Sequence, residues 1–332
     1  MLTMAVYTPL TATEIRTLLD KFAIGELLNF APIDAGVQNS SFFVTTTSAD
    51  DLRRDWVLSV LEEGDKRQIA FTVDLTTLLH NAGLPVPCPI ADKTGEPLQV
   101  IAGKPALLFP KAVGSHPLVP DIPQCAAIGD FLGRMHGVSA RLTGHDQAAT
   151  ATPNLLATLP LALQHAGWCN SLSAADNALL ETQIDRGEHL SAASDDVPSG
   201  AIHADLFRDN TFFEGSKLTA VIDFHSARTD WLLWDVAIAV NDWCSDERGI
   251  IDIERCAALL QGYVRQRPFV PAEYLIWSDV LSYSACLFWV SRLLAQLRPA
   301  DNTVLARQKD PKEYRLKLLQ RIAFAPSLPQ PT

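Results

Sequence analysis

The pattern of apolar positions changes near residue 112. Before it, short β-branched and aromatic runs alternate with polar turns, which is a strand signal. Phe42–Thr47, Trp56–Leu61, "LQVI" near 98–101 and "KPALLFP" near 105–109 are the predicted strands. One helix precedes them and another interrupts them. "LTATEIRTLLDKF" has apolar spacing at Ile15, Leu18 and Leu19, with Thr11 or Thr13 as its N-cap, and "QIAFTVDLTTLLHNAG" is closed by Gly83. After residue 112, apolar residues recur at helical spacing, as at Ile128, Phe131, Leu132 and Met135. The exception is "NTFFEGSKLTAVIDF", two short strands around a turn at Gly215–Ser216. The expected fold is α+β: a protein-kinase-like pair of lobes, with a β-rich N-lobe over 1–110, a helical C-lobe over 111–332, and a cleft between them.

Bulk properties narrow the function classes. The net charge of −11, from 27 basic and 38 acidic side chains, disfavours non-specific nucleic-acid binding and docking on anionic membranes. The six scattered cysteines form no C-x-x-C pair, which predicts reduced thiols rather than a disulfide framework or zinc site. "MLTMAVYTPLTATEIR" lacks the features of a signal peptide. The most apolar run, Val280–Ser291, is too short to span a bilayer and predicts a buried core helix. A cytoplasmic protein is expected, and the oligomeric state is not legible.

The chemistry concentrates in "AIHADLFRDNTFF", Ala201–Phe213, which crowds a His, two Asp and an Asn into an apolar frame. By itself this could be a polar turn between buried strands. Its spacing, however, is that of a kinase catalytic loop: H-A-D-L-F-R-D-N here, against H-R-D-L-x-x-x-N, followed by D-F-H in place of D-F-G. Phosphoryl transfer needs in-line positioning and neutralised phosphate charge more than covalent help. Asp205 suits the carboxylate that meets the attacking hydroxyl. Asn210 and Asp223 suit oxygen ligands of Mg²⁺.

The chain resembles the aminoglycoside phosphotransferase and choline kinase superfamily, and within it the bacterial homoserine kinases. "GVQNSSFFV", "GLPVPCPI", "HADLFRDN", "IDFHSARTDWLLWDVAIAVNDWC", "GYVRQRPF" and "KDPKEYRLKL" carry the resemblance nearly end to end. It implies ATP and Mg²⁺ as cofactors and L-homoserine as the small-molecule acceptor. Another acceptor of the same fold class, such as choline, an aminoglycoside or methylthioribose, is the alternative; a catalytically silent binding protein is a further one. The resemblance places Gly36, Asn39 and Ser40 in the turn over the ATP phosphates. Asp205 matches the catalytic aspartate, and Asn210 and Asp223 match the metal ligands. His203 braces the loop, and Asp235 supports it from beneath.

Three positions depart from the pattern. Ser59 occupies the strand position of the superfamily's phosphate-binding lysine, with Lys66, Arg67, Lys111 and Arg208 as candidate replacements. Arg208 and Arg228 replace the usual Pro and Cys. For the zwitterionic acceptor, Asp230 is the candidate partner of the ammonium group. Arg292, in an apolar helix, is the candidate for the carboxylate, since a buried Arg must have an anionic partner. Trp231, Trp234 and Trp243 are expected in the core rather than in an aromatic cage, and His80, His136 and His225 lack metal-ligand spacing.

Overall fold

The computed structural model describes residues 8–33, 39–48, 50–62, 65–139, 154–164, 172–192, 196–297 and 309–330. Helix α1 (Ala12–Leu19) opens on a capping box in which Thr11 and Glu14 satisfy each other's backbone N–H groups. An antiparallel sheet follows, in the order β1 (Glu26–Pro32), β2 (Ser40–Thr47), β3 (Arg53–Val60), β5 (Lys104–Pro110), β4 (Gln99–Ile101). Its two faces bury different residues, as the period of two requires. Trp56, Leu58 and Val60 of β3 join Ala106 and Leu108 of β5 against α1. Leu107 and Phe109 point the other way, toward Ile69 and Val73 of α2 (Lys66–Asn81). Ser59 is paired with Leu107 and shares that second face.

The larger core belongs to the helical region: α3 (Ile122–Ser139), α4 (Leu155–Gln164), α5 (Ala174–Ala192), α6 (Leu233–Trp243), α7 (Ile253–Gln266), α8 (Pro271–Leu297) and α9 (Pro311–Ala323). Helices α3 and α7 cross with backbones in near contact. A methyl group at Gly129 would run into the Leu259 carbonyl, and one at Gly262 into that of Ala126. The run Val280–Ser291 is the centre of α8, which extends 27 residues. Among the described residues no helix is long and apolar enough to cross a membrane. Cys88, Cys125, Cys244, Cys256 and Cys286 are free thiols; Cys169 lies outside the described residues.

Two small ribbons sit on this helical bed. Strands β6 (Ser199–Ile202) and β9 (Arg228–Trp231) pair antiparallel, as do β7 (Thr211–Glu214) and β8 (Lys217–Val221). Trp231 and Trp234, three residues apart at helical spacing, do not share a helix. Instead Trp231 ends β9 and Trp234 lies in α6, their rings stacked 5.8 Å apart and buried, so the core expectation stands by a different route.

Candidate active site

The segment from β6 to β7 carries the predicted loop, and its shape is set from below by one carboxylate. Asp235, in the first turn of α6, is fully buried. It accepts the backbone N–H of His203 at 2.8 Å and of Ala204 at 2.7 Å, and His136 Nε2–H at 3.2 Å. Ala204 has φ 63°, left-handed backbone that a residue with a Cβ adopts at a cost, so the clamp holds a strained turn. His203 braces the loop from within. Its Nε2 donates to the Ile222 carbonyl at 3.0 Å, and its Nδ1 accepts the Asp205 N–H at 3.2 Å. Burial, the largest influence, lowers the His203 pKa despite Asp235 and favours the neutral ring these bonds require.

This bracing brings Asp205, Asn210 and Asp223 together. Asn210 Nδ2 donates to the Asp205 backbone carbonyl at 2.8 Å and to its Oδ2 at 3.2 Å. The carboxamide oxygen of Asn210 is thereby turned away from Asp205. Asp223 falls outside the strand that "KLTAV" forms. It lies two residues past β8, with φ 66°, because the chain must turn sharply there toward a short 3₁₀ turn, Phe224–Ser226. Among the described residues no hydrogen-bond donor reaches its carboxylate, and His225 Nε2 stands 3.8 Å away. Burial and then the charge of Asp223 push the Asp205 carboxyl well above the usual range, while Lys309 pulls it partly back.

Helix α2 grips the Asp223 turn from the side. Gln68 Nε2 donates to the carbonyls of His225 (3.2 Å) and Ala227 (2.6 Å), and Thr72 Oγ1 to that of Phe224 (3.2 Å). Neither Gln68 nor Thr72 carries a motif that marks it for this contact in the sequence.

The turn before β2 is only partly described, and Gly36 lies outside the described residues. Asn39 accepts the Glu62 N–H at 3.3 Å, and the Ser40 hydroxyl bonds the Glu62 carboxylate. Lys104 pairs with the same carboxylate. This Lys–Glu pair is on the α1 face of the sheet, opposite Ser59, and therefore does not stand in for a lysine at Ser59. Lys66 and Arg67 are exposed, and Lys111 Nζ rests 4.9 Å over the Phe43 ring and 3.4 Å from Asp55.

The three predicted acceptor-binding residues all have partners inside the protein. Asp230 accepts the N–H groups of Leu155 (2.7 Å) and Trp231 (2.8 Å). Arg208 donates its N–H and Nε to Asp242 Oδ2 at 2.9 and 3.1 Å, and its Nη1 to the Leu118 carbonyl. Arg292 meets Glu313 at 2.6 Å and the Asp310 carbonyl at 3.0 Å, with its guanidinium 4.4 Å over the Tyr314 ring. The anion that a buried Arg292 demanded is thus supplied by the chain itself. Lys317, only 2% exposed at its side chain, closes the series, 2.6 Å from Glu313 and 3.7 Å from Asp242. Alternating charges run Arg208, Asp242, Lys317, Glu313, Arg292 and tie the loop to α9. Phe207 packs on Tyr314 alongside them. Glu313 and Lys317 stand at the i, i+4 ion-pair spacing of one helix, a signal the sequence did offer; nothing in the spacing of Asp242 announces either of them.

This is the constellation of a phosphoryl-transferring enzyme, and the chain belongs to the phosphotransferase enzyme family, whose profile matches residues 29–269. Over nearly its full length it is similar to bacterial homoserine kinases. That of Pseudomonas aeruginosa is 35% identical over 96% of each chain, and that of Burkholderia ambifaria 37% over 98% of each. The fold is shared with a microcompartment-associated aminopropanol kinase (TM-score 0.67, 16% identity, 94% of this chain and 97% of that one). It is shared also with an amicoumacin kinase solved with AMP-PNP and Ca²⁺ (TM-score 0.65, 16% identity, 94% and 93%).

Proposed function

We propose that this chain transfers the terminal phosphoryl group of ATP to the side-chain hydroxyl of L-homoserine, giving O-phospho-L-homoserine and ADP. The observation that carries the reading is the convergence of Asp205, Asn210 and Asp223 on one braced loop, in a chain aligned end to end with homoserine kinases. The acceptor oxygen attacks phosphorus, the bond to the bridging oxygen of ADP breaks, and Asp205 accepts the hydroxyl proton.

The oxygen set fits a hard divalent cation. The Asp223 carboxylate has no donor from a described residue, and Asn210 spends its N–H group on Asp205 and keeps its oxygen. Mg²⁺ held by Asp223 and Asn210 would offset negative charge on the phosphate oxygens. Asn39 and Ser40 stand at the exit of the turn proposed to cover those phosphates, and Glu62 fixes both.

The test is ADP release from purified protein with Mg-ATP and a panel of L-homoserine, choline, kanamycin, methylthioribose and L-serine, with the product identified by phosphorus NMR. Preferred turnover of homoserine is expected. A larger kcat/KM on any other member would transfer the assignment to that acceptor, and nucleotide binding without turnover on any of them would favour the silent binding protein.

A further inference from the structure

We propose that Lys309, just ahead of α9, is the cation that receives the carboxylate of the acceptor amino acid. This rests on the homoserine reading above and supplies the group that Arg292 was expected to be. Lys309 comes from a hundred residues beyond the catalytic loop, yet its Nζ lies 2.6 Å from Asp209 Oδ2 and 4.9 Å over the Phe207 ring. Those two residues flank Arg208 in the loop and follow Asp205 within four positions.

The placement is enforced. Asp310 caps α9 through the Lys312 N–H at 2.9 Å, Arg292 grips the Asp310 carbonyl, and the charge series through Glu313 and Lys317 anchors the next turns. An ammonium has three N–H donors, and Asp209 takes one. The side chain is about half exposed, at 47%, and can present the others to a ligand. In an acceptor whose hydroxyl meets Asp205, the carboxylate is the part that seeks a positive charge. Arg208 and Arg292 are both committed to carboxylates of the chain. An exposed ion pair contributes little to stability, so removing this lysine leaves a folded protein to assay.

The experiment compares wild type, Lys309→Met and Lys309→Arg. It measures the KM for homoserine and for ATP, and the competitive inhibition constants of two analogues. L-2-Aminobutyrate keeps the carboxylate and lacks the hydroxyl; 3-aminopropan-1-ol keeps the hydroxyl and lacks the carboxylate. In Lys309→Met, the homoserine KM and the L-2-aminobutyrate constant should both rise about 10- to 100-fold, the usual range for losing a charged hydrogen bond. The ATP KM and the 3-aminopropan-1-ol constant should stay within about twofold on the same principle, and Lys309→Arg should recover much of the loss. Equal weakening of both analogues, or an ATP KM that moves as far as the homoserine KM, would assign Lys309 to the loop or to the phosphates and overturn the proposal. A wild type inert toward homoserine would remove the substrate reading and this proposal with it; an active wild type with an indifferent Lys309→Met removes this proposal alone.

Discussion

Replacing Asp235 tests whether one buried carboxylate holds the catalytic loop in shape. Asp235→Asn keeps the volume but leaves one acceptor oxygen where two served, so an NH₂ group is set against an N–H donor. At stake are the N–H groups of His203 and Ala204 at 2.8 and 2.7 Å and the His136 ring at 3.2 Å. A buried donor left unsatisfied costs about 1–3 kcal/mol, and hydrogen bonds to a charged group contribute about 1.5–3 kcal/mol each. Desolvation of the carboxylate offsets part of this. The net expectation is a loss of about 2–4 kcal/mol in stability, a large fraction of the roughly 5–15 kcal/mol typical of a folded protein.

The strained turn should relax as its clamp weakens, and a shift near 1 Å in catalytic geometry is enough for about a 10²-fold fall in rate. Urea unfolding and steady-state kinetics on one preparation measure both effects. The ATP KM should change less than kcat, since Asp235 makes no hydrogen bond to Asn39 or Ser40 at the turn before β2. Ala204→Gly should recover part of the stability in the Asp235→Asn background, because glycine accepts the left-handed φ without strain. An Asp235→Asn protein within about 1 kcal/mol of wild type, with kcat unchanged, would refute the clamp.

Asp205→Ala should lower kcat by about 10²–10⁴ while nucleotide still binds; calorimetric titration with ADP separates the two, and near-normal turnover would remove Asp205 from the proton transfer. Asp242→Ala removes the carboxylate that Arg208 meets and leaves the buried Lys317 with Glu313 alone, so denaturant unfolding should report a loss of about 1–3 kcal/mol. The Glu313 carboxyl, raised by burial but pulled down more strongly by Lys317 and Arg292, falls from an ordinary 4.5 to about 2. A depressed folded pKa stabilises above the unfolded value, so this contribution is complete above about pH 4.5 and disappears as pH falls toward about 2. Thermal melts across that window should show a smaller acid loss in Glu313→Gln than in wild type. Gly129→Val should destabilise by separating α3 from α7 at Leu259, read as a lower melting temperature without a change in homoserine KM.

Local chemistry was legible in the chain because it is local. Asp205 and Asn210 are five residues apart on one loop, so their spacing alone fixes how they can meet. The strand runs and the capped helices follow from periodicities of two and 3.6 that need no distant partner. What the tertiary structure decided is the pairing of charge across long separations. A buried arginine advertises that an anion must be near, but not which one. Arg292 finds Glu313 on another helix, Arg208 finds Asp242, and Lys309 returns over a hundred residues to Asp209. Likewise Gln68 and Thr72 gain their role only once α2 docks on the Asp223 turn. Coulomb attraction and desolvation depend on distance and burial in space, and neither is written in the order of residues along the chain.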